Sequence, residues 1–284
     1  LEPRLRVGTC DPAPDEGGVR QSGRMRVALF ITCVNDAMFP DTGKATVAIL
    51  RRLGVDVEFP TSQSCCGQPH YNSGYPDETV PLVRRFVRAF DDYDVIVSPS
   101  ASCVSMVHEN YASLAERSGD TALQADVTAL VPRVLELSQL LVDQMGVTDV
   151  GAHFPHTVTY HPACHGLRLL DLGDRYPSLL RAVDGLDLVE LPDAAECCGF
   201  GGTFSVKNAE TSSAMVATKV DNVLATGAQV LVSTDNSCLL NIAGALVRRT
   251  PAMRAMHAAE VLATTQADGE SWRSAAPRLA RADA

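Results

Sequence analysis

Three features of the sequence predict an α/β fold of two pseudo-symmetric lobes, each a small parallel sheet covered by helices. Short apolar strands alternate with helical stretches, the alternation runs twice, and one cysteine series recurs almost in register. Strand–helix–strand order with apolar strands is the mark of a parallel sheet buried under helices. Internal self-similarity marks a repeated structural unit.

The elements follow in order. "RVALFIT" reads as a strand, "TGKATVAILRRLG" as a helix closed by Gly54, and "VDVEF" as a second strand. "DTGKAT" lacks the earlier glycine of a phosphate loop and reads as a helix start capped by Asp41 or Thr42. "DETVPLVRRFVRAF" has apolar spacing near the helical period, and "DVIVSPS" is a third strand. Residues 125–146 read as a helix that completes the first half. The second half repeats the order with "TVTYH", "SLLRAVDG", "LDLVEL", "NAETSSAMVATKVDNVLATG" and "QVLVST". The expected division is an extension at 1–24, lobes at 25–150 and 151–265, and a flexible tail at 266–284. The extension is rich in Pro, Gly and charge, Met25 is a natural start, and Cys10 reads as an incidental thiol.

The remaining eight cysteines form two series. Cys33 is followed after 31 residues by Cys65 and Cys66, then after 36 by Cys103; Cys164 is followed after 32 by Cys197 and Cys198, then after 39 by Cys238. "CCGQ" answers "CCGF", and "DVIVSPSASC" answers "QVLVSTDNSC". Each station follows a predicted strand, so the topology gathers four thiols per lobe at the carboxyl edge of a parallel sheet, where ligands bind. Several sit just before helices, whose free N–H groups favour thiolates. Gly67 and Gly199 permit the positive φ that turns neighbouring side chains to one side.

Four thiolates suit zinc or an iron–sulfur cluster. Two adjacent cysteines closing on one ion make a strained small ring, whereas a cluster offers each thiolate its own iron. The paired spacing of two to four residues common at zinc sites is absent. The residues therefore favour iron–sulfur and leave zinc open.

Charge and composition narrow the partners. The 284 residues carry 34 acidic against 24 basic side chains, a formal charge of −10, which argues against a nucleic-acid surface. No apolar run is long enough for a transmembrane helix, and no secretory leader is apparent, so the cysteines point to metal or redox chemistry.

The doubled pattern resembles the cysteine-rich CCG domain family, which includes a cysteine-rich subunit of heterodisulfide reductase, the iron–sulfur subunit of glycolate oxidase and the lactate utilization protein A group. The resemblance spans residues 25–263, and "MRVALFITCVNDAMFP", "YHPACHGLR", "ECCGFGGTFSVKNAE" and "STDNSCLLNIAG" look most like the lactate utilization group. It implies a cytoplasmic iron–sulfur electron-transfer subunit of a complex oxidising L-lactate or a similar 2-hydroxy acid, a redox subunit rather than a stand-alone catalyst. The implied ligands are Cys33, Cys65, Cys66, Cys103, Cys164, Cys197, Cys198 and Cys238. The implied cofactor is [4Fe–4S], with zinc in one lobe as the variant, and the implied partners are other iron–sulfur or redox subunits. One departure stands out. The fuller family pattern ends each half in CxxC, and here the first of that pair is Ser100 or Asp235. That favours four-thiol clusters over five-thiol noncubane ones.

Two other functions remain open at this stage, a thiol–disulfide reductase subunit of the heterodisulfide type and a zinc-stabilised binding scaffold. His161 and His165 flank Cys164 and read as donors to sulfur or packing residues, with metal ligation as the alternative. His70 follows Cys66 with the same options. Arg168 either offsets thiolate charge or is simply solvated. "GFGGTF" lacks the third glycine of a dinucleotide fingerprint and no strand runs into it.

Overall fold

The computed structural model describes residues 26–250 and 253–269. The first half runs β1 (Val27–Leu29), α1 (Cys33–Met38), α2 (Pro40–Arg52), β2 (Val57–Glu58), α3 (Gln68–Asn72), α4 (Pro76–Phe90), β3 (Val95–Ser98), α5 (Ala101–Arg117), α6 (Thr121–Leu130) and β4 (Val134–Glu136). A π-helical turn at Gln139–Gln144 leads onward. The second half runs β5 (Thr157–His161), α7 (Cys164–Arg168), α8 (Arg175–Arg181), β6 (Asp187–Val189), α9 (Phe204–Lys207), α10 (Ala209–Ala225), β7 (Val230–Ser233), α11 (Asn236–Arg249), β8 (Arg254–His257) and α12 (Ala258–Ala263).

The sheets are ordered β2-β1-β3-β4 and β6-β5-β7-β8, and every pairing is parallel. The α/β class and the two matched lobes are therefore as the sequence predicts. The central strands β3 and β7 are buried along their whole length, which is why "VIVS" and "VLVS" are continuous apolar runs rather than alternating ones.

Each sheet has a fourth strand that the sequence reading did not place. Residues 125–146 are not one helix: α6 ends at Leu130, a short 3-10 turn spans Val131–Arg133, and β4 follows. Pro132 is the cause, since a proline inside a helix removes a donor and clashes with the preceding turn. The cap expected at Asp41 or Thr42 is also corrected. α2 begins at Pro40 directly after Phe39, and the buried Thr42 hydroxyl instead donates to Glu260 at 2.6 Å. The extension with Cys10 and the tail beyond 269 lie outside the described residues, while Gln266–Asp268 forms a 3-10 turn closed by a capping box with Thr265.

The registers give a residue-by-residue match between halves. Leu29 pairs with Val97 and Tyr160 with Val232, and each valine precedes its lobe's last cysteine by six positions. Phe30 therefore answers His161. Ser98 pairs with Glu136 and Ser233 with His257, so Glu136 answers His257. Buried positions on α4 (Thr79, Val83, Phe86, Val87, Phe90) share their spacing with those on α10 (Ser212, Val216, Lys219, Val220, Val223), so Phe86 answers Lys219.

The halves exchange their last segments. α12 of the second half packs on α2 of the first, and Arg52 donates to the carbonyls of Val150 and Gly151 as well as to Leu262 and Ala263. In the other direction Tyr176 donates to Glu136 at 2.5 Å, and Arg175 on α8 pairs with Asp143 in the π-helical turn.

Candidate metal centre

The loops after β1, β2 and β3 carry the first cysteine series, and those after β5, β6 and β7 the second. Cys33 and Cys164 are the first residues of α1 and α7. Cys103 and Cys238 lie in the first turns of α5 and α11. Cys65–Cys66 and Cys197–Cys198 sit on loops that end in Gly67 (φ 90°) and Gly199 (φ 82°). Both glycines are required. A Cβ on Gly67 would lie 2.5 Å from Thr79 Cγ2, and one on Gly199 would lie 2.7 Å from the Ser212 carbonyl oxygen. The shared geometry of the two loops follows from the glycine's left-handed backbone.

Within each lobe the thiols form a chain of contacts. Cys33 Sγ donates to Cys65 Sγ at 3.4 Å, Cys65 contacts Cys66, and Cys66 contacts Cys103. The second lobe repeats this from Cys164 through Cys197 and Cys198 to Cys238. The first cysteine of each adjacent pair is the thiolate. Hydrogen bonding from Cys33, then from Cys66, with help from the Gly67 N–H at 3.4 Å, lowers Cys65 to about 3. Cys164, Cys198 and the Gly199 N–H, the last at 3.4 Å, lower Cys197 to about 2. Cys33 and Cys164 are pushed up by donating to those thiolates, Cys66 chiefly by its bond to Cys103, and Cys198 by its bond to Cys197.

All eight cysteines line a single cavity of about 150 Å³ between the lobes. The sequence predicted two gathered sets but not that they share one space. Phe200, Gly201, Gly202 and Thr203 form part of its wall, so the "GFGG" run, which is not a nucleotide loop, shapes the site instead. Cys66, Cys103, Cys198 and Cys238 are buried, while Cys33 is exposed and Cys65, Cys164 and Cys197 are half-buried.

The positions that depart from CxxC have another use here. Asp235 Oδ1 accepts from the Ser237 N–H at 3.0 Å and caps α11, while Oδ2 accepts from the Ser102 N–H of the first lobe at 3.0 Å. Asn236 donates to Asn35 at 3.0 Å and to Thr42 Oγ1 at 2.9 Å. Ser100 Oγ lies 3.4 Å from Ser102 Oγ. Asp235 and Asn236 thus tie the second lobe to the first beside the thiols, while the Ser100 contact stays within its own lobe. The signal for them in the sequence was the "SAS"/"DNS" mismatch within otherwise matched segments.

The histidines divide. Gln68 Nε2 donates to His165 Nε2 at 3.2 Å, which leaves the proton on Nδ1, 3.6 Å from Cys164 Sγ. His165 is thus placed as a donor to sulfur. His70 lies near enough to Cys65 to favour its thiolate. Arg168 donates to the Ala195 carbonyl at 3.0 Å and holds the loop that leads into Cys197. Residues the sequence reading passed over also support the loops: Tyr111 donates to the Cys66 carbonyl at 3.0 Å, and Asn241 to the Cys198 carbonyl at 2.8 Å. Lys219, almost wholly buried, donates to the carbonyl of Asp193 at 2.6 Å.

The donor set suits a soft metal or cluster, since thiolate is what such centres require. Spacing refines the fit. Among the described residues the one group of three donor atoms lying mutually within 4.8 Å is His161, Cys198 and Cys238. The first-lobe thiols, extended along their chain of contacts, include no such trio. One tetrahedral ion with sulfurs at about 2.3 Å holds them about 3.8 Å apart, tighter than this arrangement.

A family model for the cysteine-rich CCG domain matches residues 27–108 and 158–243, one match per half. Lactate utilization protein A of Oceanobacillus iheyensis is 45% identical over 245 residues, covering 86% of this chain and 99% of its own. The protein of that name from an Exiguobacterium species is 47% identical over 238 residues, covering 83% and 96%. Among solved structures, PH1733, an aspartate racemase homologue from Pyrococcus horikoshii, covers 84% of this chain and 95% of its own at 10% identity and a TM-score of 0.31, a likeness too slight to bear on fold or activity.

Proposed function

The chain belongs to the cysteine-rich CCG domain family, and from that premise we propose that it is an iron–sulfur electron-transfer subunit of a system oxidising L-lactate or a similar 2-hydroxy acid. The substrate class comes from the relatives named lactate utilization protein A. The observation that carries the redox reading is the pair of matched four-thiol sets facing one cavity. Bound clusters supply one-electron chemistry, with a potential set by net charge and by hydrogen bonds to sulfur.

The chain's own groups serve that role in identifiable ways. Cys33, Cys65, Cys66 and Cys103 hold the first centre, and Cys164, Cys197, Cys198 and Cys238 the second. Cys65 and Cys197, whose pKa values are lowest, would offer thiolates to iron directly, and the other thiols would have to give up protons to ligate. The Gly67 and Gly199 N–H groups donate to those two sulfurs and stabilise their negative charge. The exposure of Cys33 supports docking of an electron partner, another iron–sulfur or redox subunit, on that side. No helix among the described residues is long and apolar enough to cross a membrane, and we place the assembly in the cytoplasm. The lobes are assigned to residues 25–150 and 151–265.

Anaerobically purified protein is expected to carry iron and acid-labile sulfide with a visible charge-transfer band. Cys66→Ser and Cys198→Ser are each expected to lose about half of both. Colourless protein with stoichiometric zinc and no sulfide overturns the reading and leaves the scaffold. A second reading, thiol–disulfide reduction, is favoured by the low-pKa thiolates Cys65 and Cys197 on the cavity wall. It requires donor-supported disulfide cleavage that Cys197→Ser abolishes.

A further inference from the structure

We propose that His161 supplies a nitrogen ligand to the metal centre of the second lobe, so that this centre is mixed sulfur–nitrogen while the first is all sulfur. The proposal rests on the reading that the cysteine sets bind metal, and it adds a ligand that the repeated cysteine pattern does not contain.

Geometry places the ring first. His161 ends β5 three residues before Cys164, and one of its nitrogens lies with Cys198 Sγ and Cys238 Sγ in a trio mutually within 4.8 Å. Donors on a tetrahedral ion with bonds of about 2.0 Å to nitrogen and 2.3 Å to sulfur stand about 3.5 Å apart. The trio needs at most about 1.3 Å of closing to reach that separation. One position remains, for Cys164 or Cys197.

Satisfaction of the ring comes second. His161 is 1% exposed, and even with the Ala194 backbone beside it one ring nitrogen has no hydrogen-bond partner. An orphaned buried polar group costs about 1–3 kcal/mol, so the position demands a reason. Packing alone does not provide one, because the matching first-lobe position is Phe30. Phe30 packs edge-on against Phe86 at 4.9 Å between centroids, with no polar group to satisfy. The second lobe has replaced that aromatic pair with His161 and Lys219. Both changes go against packing, and both put nitrogen beside the thiols.

The surroundings suit ligation. The ring is buried beside the Cys198 and Cys238 sulfurs, a setting that favours uncharged imidazole. Neutral imidazole is the form that offers a lone pair to a metal. A ligating histidine usually donates its other N–H to a backbone carbonyl, and the Ala194 backbone is placed to take that proton. The chemistry is the same whether the acceptor is a single divalent ion or one iron of a cluster.

The test uses the full chain with its histidines labelled with ¹⁵N, stripped of metal anaerobically and loaded with Co²⁺ as a reporter of the donor set. Two equivalents are expected, with nitrogen coupling from one histidine in pulsed EPR and an optical spectrum combining an all-sulfur and a sulfur–nitrogen site. His161→Phe, which restores the first-lobe residue, should abolish the coupling and weaken the second equivalent at least tenfold, leaving the first unchanged. His161→Cys should recover binding with an all-sulfur spectrum. Two equivalents bound by the native chain without nitrogen coupling, or coupling that persists in His161→Phe and vanishes in His165→Phe, overturn the proposal while leaving the metal reading intact. Uptake of neither cobalt nor iron and sulfide overturns both. Loading the labelled chain with iron and sulfide then separates the two acceptors. Nitrogen coupling to a cluster signal puts His161 on an iron, and coupling seen only with cobalt puts it on a single ion.

Discussion

Two phenylalanines stand behind the thiols of the first lobe, and a histidine and a lysine stand behind those of the second. Phe30 and Phe86 meet edge-on, with Phe90 and Tyr111 completing an apolar cluster. His161 and Lys219 occupy the matched places, and the Lys219 ammonium is tied to carbonyls of the loop leading into Cys197. Loop geometry and thiolate pattern are shared by the lobes, while the electrostatics behind them are not. Duplication has preserved the positions of the donors and freed their backing to diverge. The lobes share one scaffold and one thiol arrangement but set different side chains behind it.

The largest test of this contrast is to remove the backing. Phe86→Ala is expected to cost about 3–5 kcal/mol, because it opens a cavity in a packed aromatic cluster. Lys219→Met should cost less, about 1–3 kcal/mol, since it strands the Asp193 and Ala194 carbonyls but relieves a buried charge. Denaturant unfolding of both variants measures the difference, and equal costs would mean that the two backings do the same job.

A second difference lies in the fourth strands. Glu136 and His257 occupy matched ends of β4 and β8, and each side chain accepts the backbone N–H two residues on, from Ser138 at 2.7 Å and Ala259 at 3.1 Å. Burial drives them in opposite directions, Glu136 up to about 7 and His257 down to about 4. The folded state therefore holds a proton on Glu136 that the unfolded chain lacks between about pH 4.5 and 7. Its contribution is full below that window and is lost as pH rises through 7. His257 contributes fully above about pH 6.5 and loses its contribution as pH falls through 4. Glu136→Gln should remove the fall in stability across its window, a change of roughly 3 kcal/mol, and His257→Asn should remove the opposing rise. Urea midpoints measured from pH 4 to 8 check both slopes; parallel slopes in the two variants would refute the opposition.

The smallest effect separates the two loops. An alanine at either glycine meets the left-handed backbone penalty of roughly 1–2 kcal/mol. At Gly67 the added Cβ meets the Thr79 side chain, but at Gly199 it meets the Ser212 backbone oxygen, which cannot rotate away. Gly199→Ala should therefore be the more disruptive by about 1 kcal/mol, and thermal unfolding of the two variants decides it.

Much of this was legible in the sequence. The cysteine spacings placed every thiol at a strand end because parallel topology leaves those ends on one edge, and the doubled "CCG" exposed the duplication. β4 and β8 were not legible, since three- and four-residue strands followed closely by helical turns read as continuous helical spacing. Pro132 was the available sign of a break. The shared cavity was hidden because it depends on contacts between halves, such as Asp235 with Ser102 and Asn236 with Asn35, which no local pattern encodes. His161 appeared beside Cys164 in the chain, yet its burial against Cys198 and Cys238 and its exchange with Phe30 needed the strand register.

The exchange of closing segments makes the halves mutually dependent for folding. α12 covers α2 of the opposite lobe, and the Glu136 strand end is held by Tyr176 from across the chain. A first half cut at the 147–156 crossing loses the helix that covers α2, and a second half loses the Glu136 and Asp143 partners of α8. The chain should consequently melt as one cooperative unit, and a lesion that loosens one lobe would release the thiols of both.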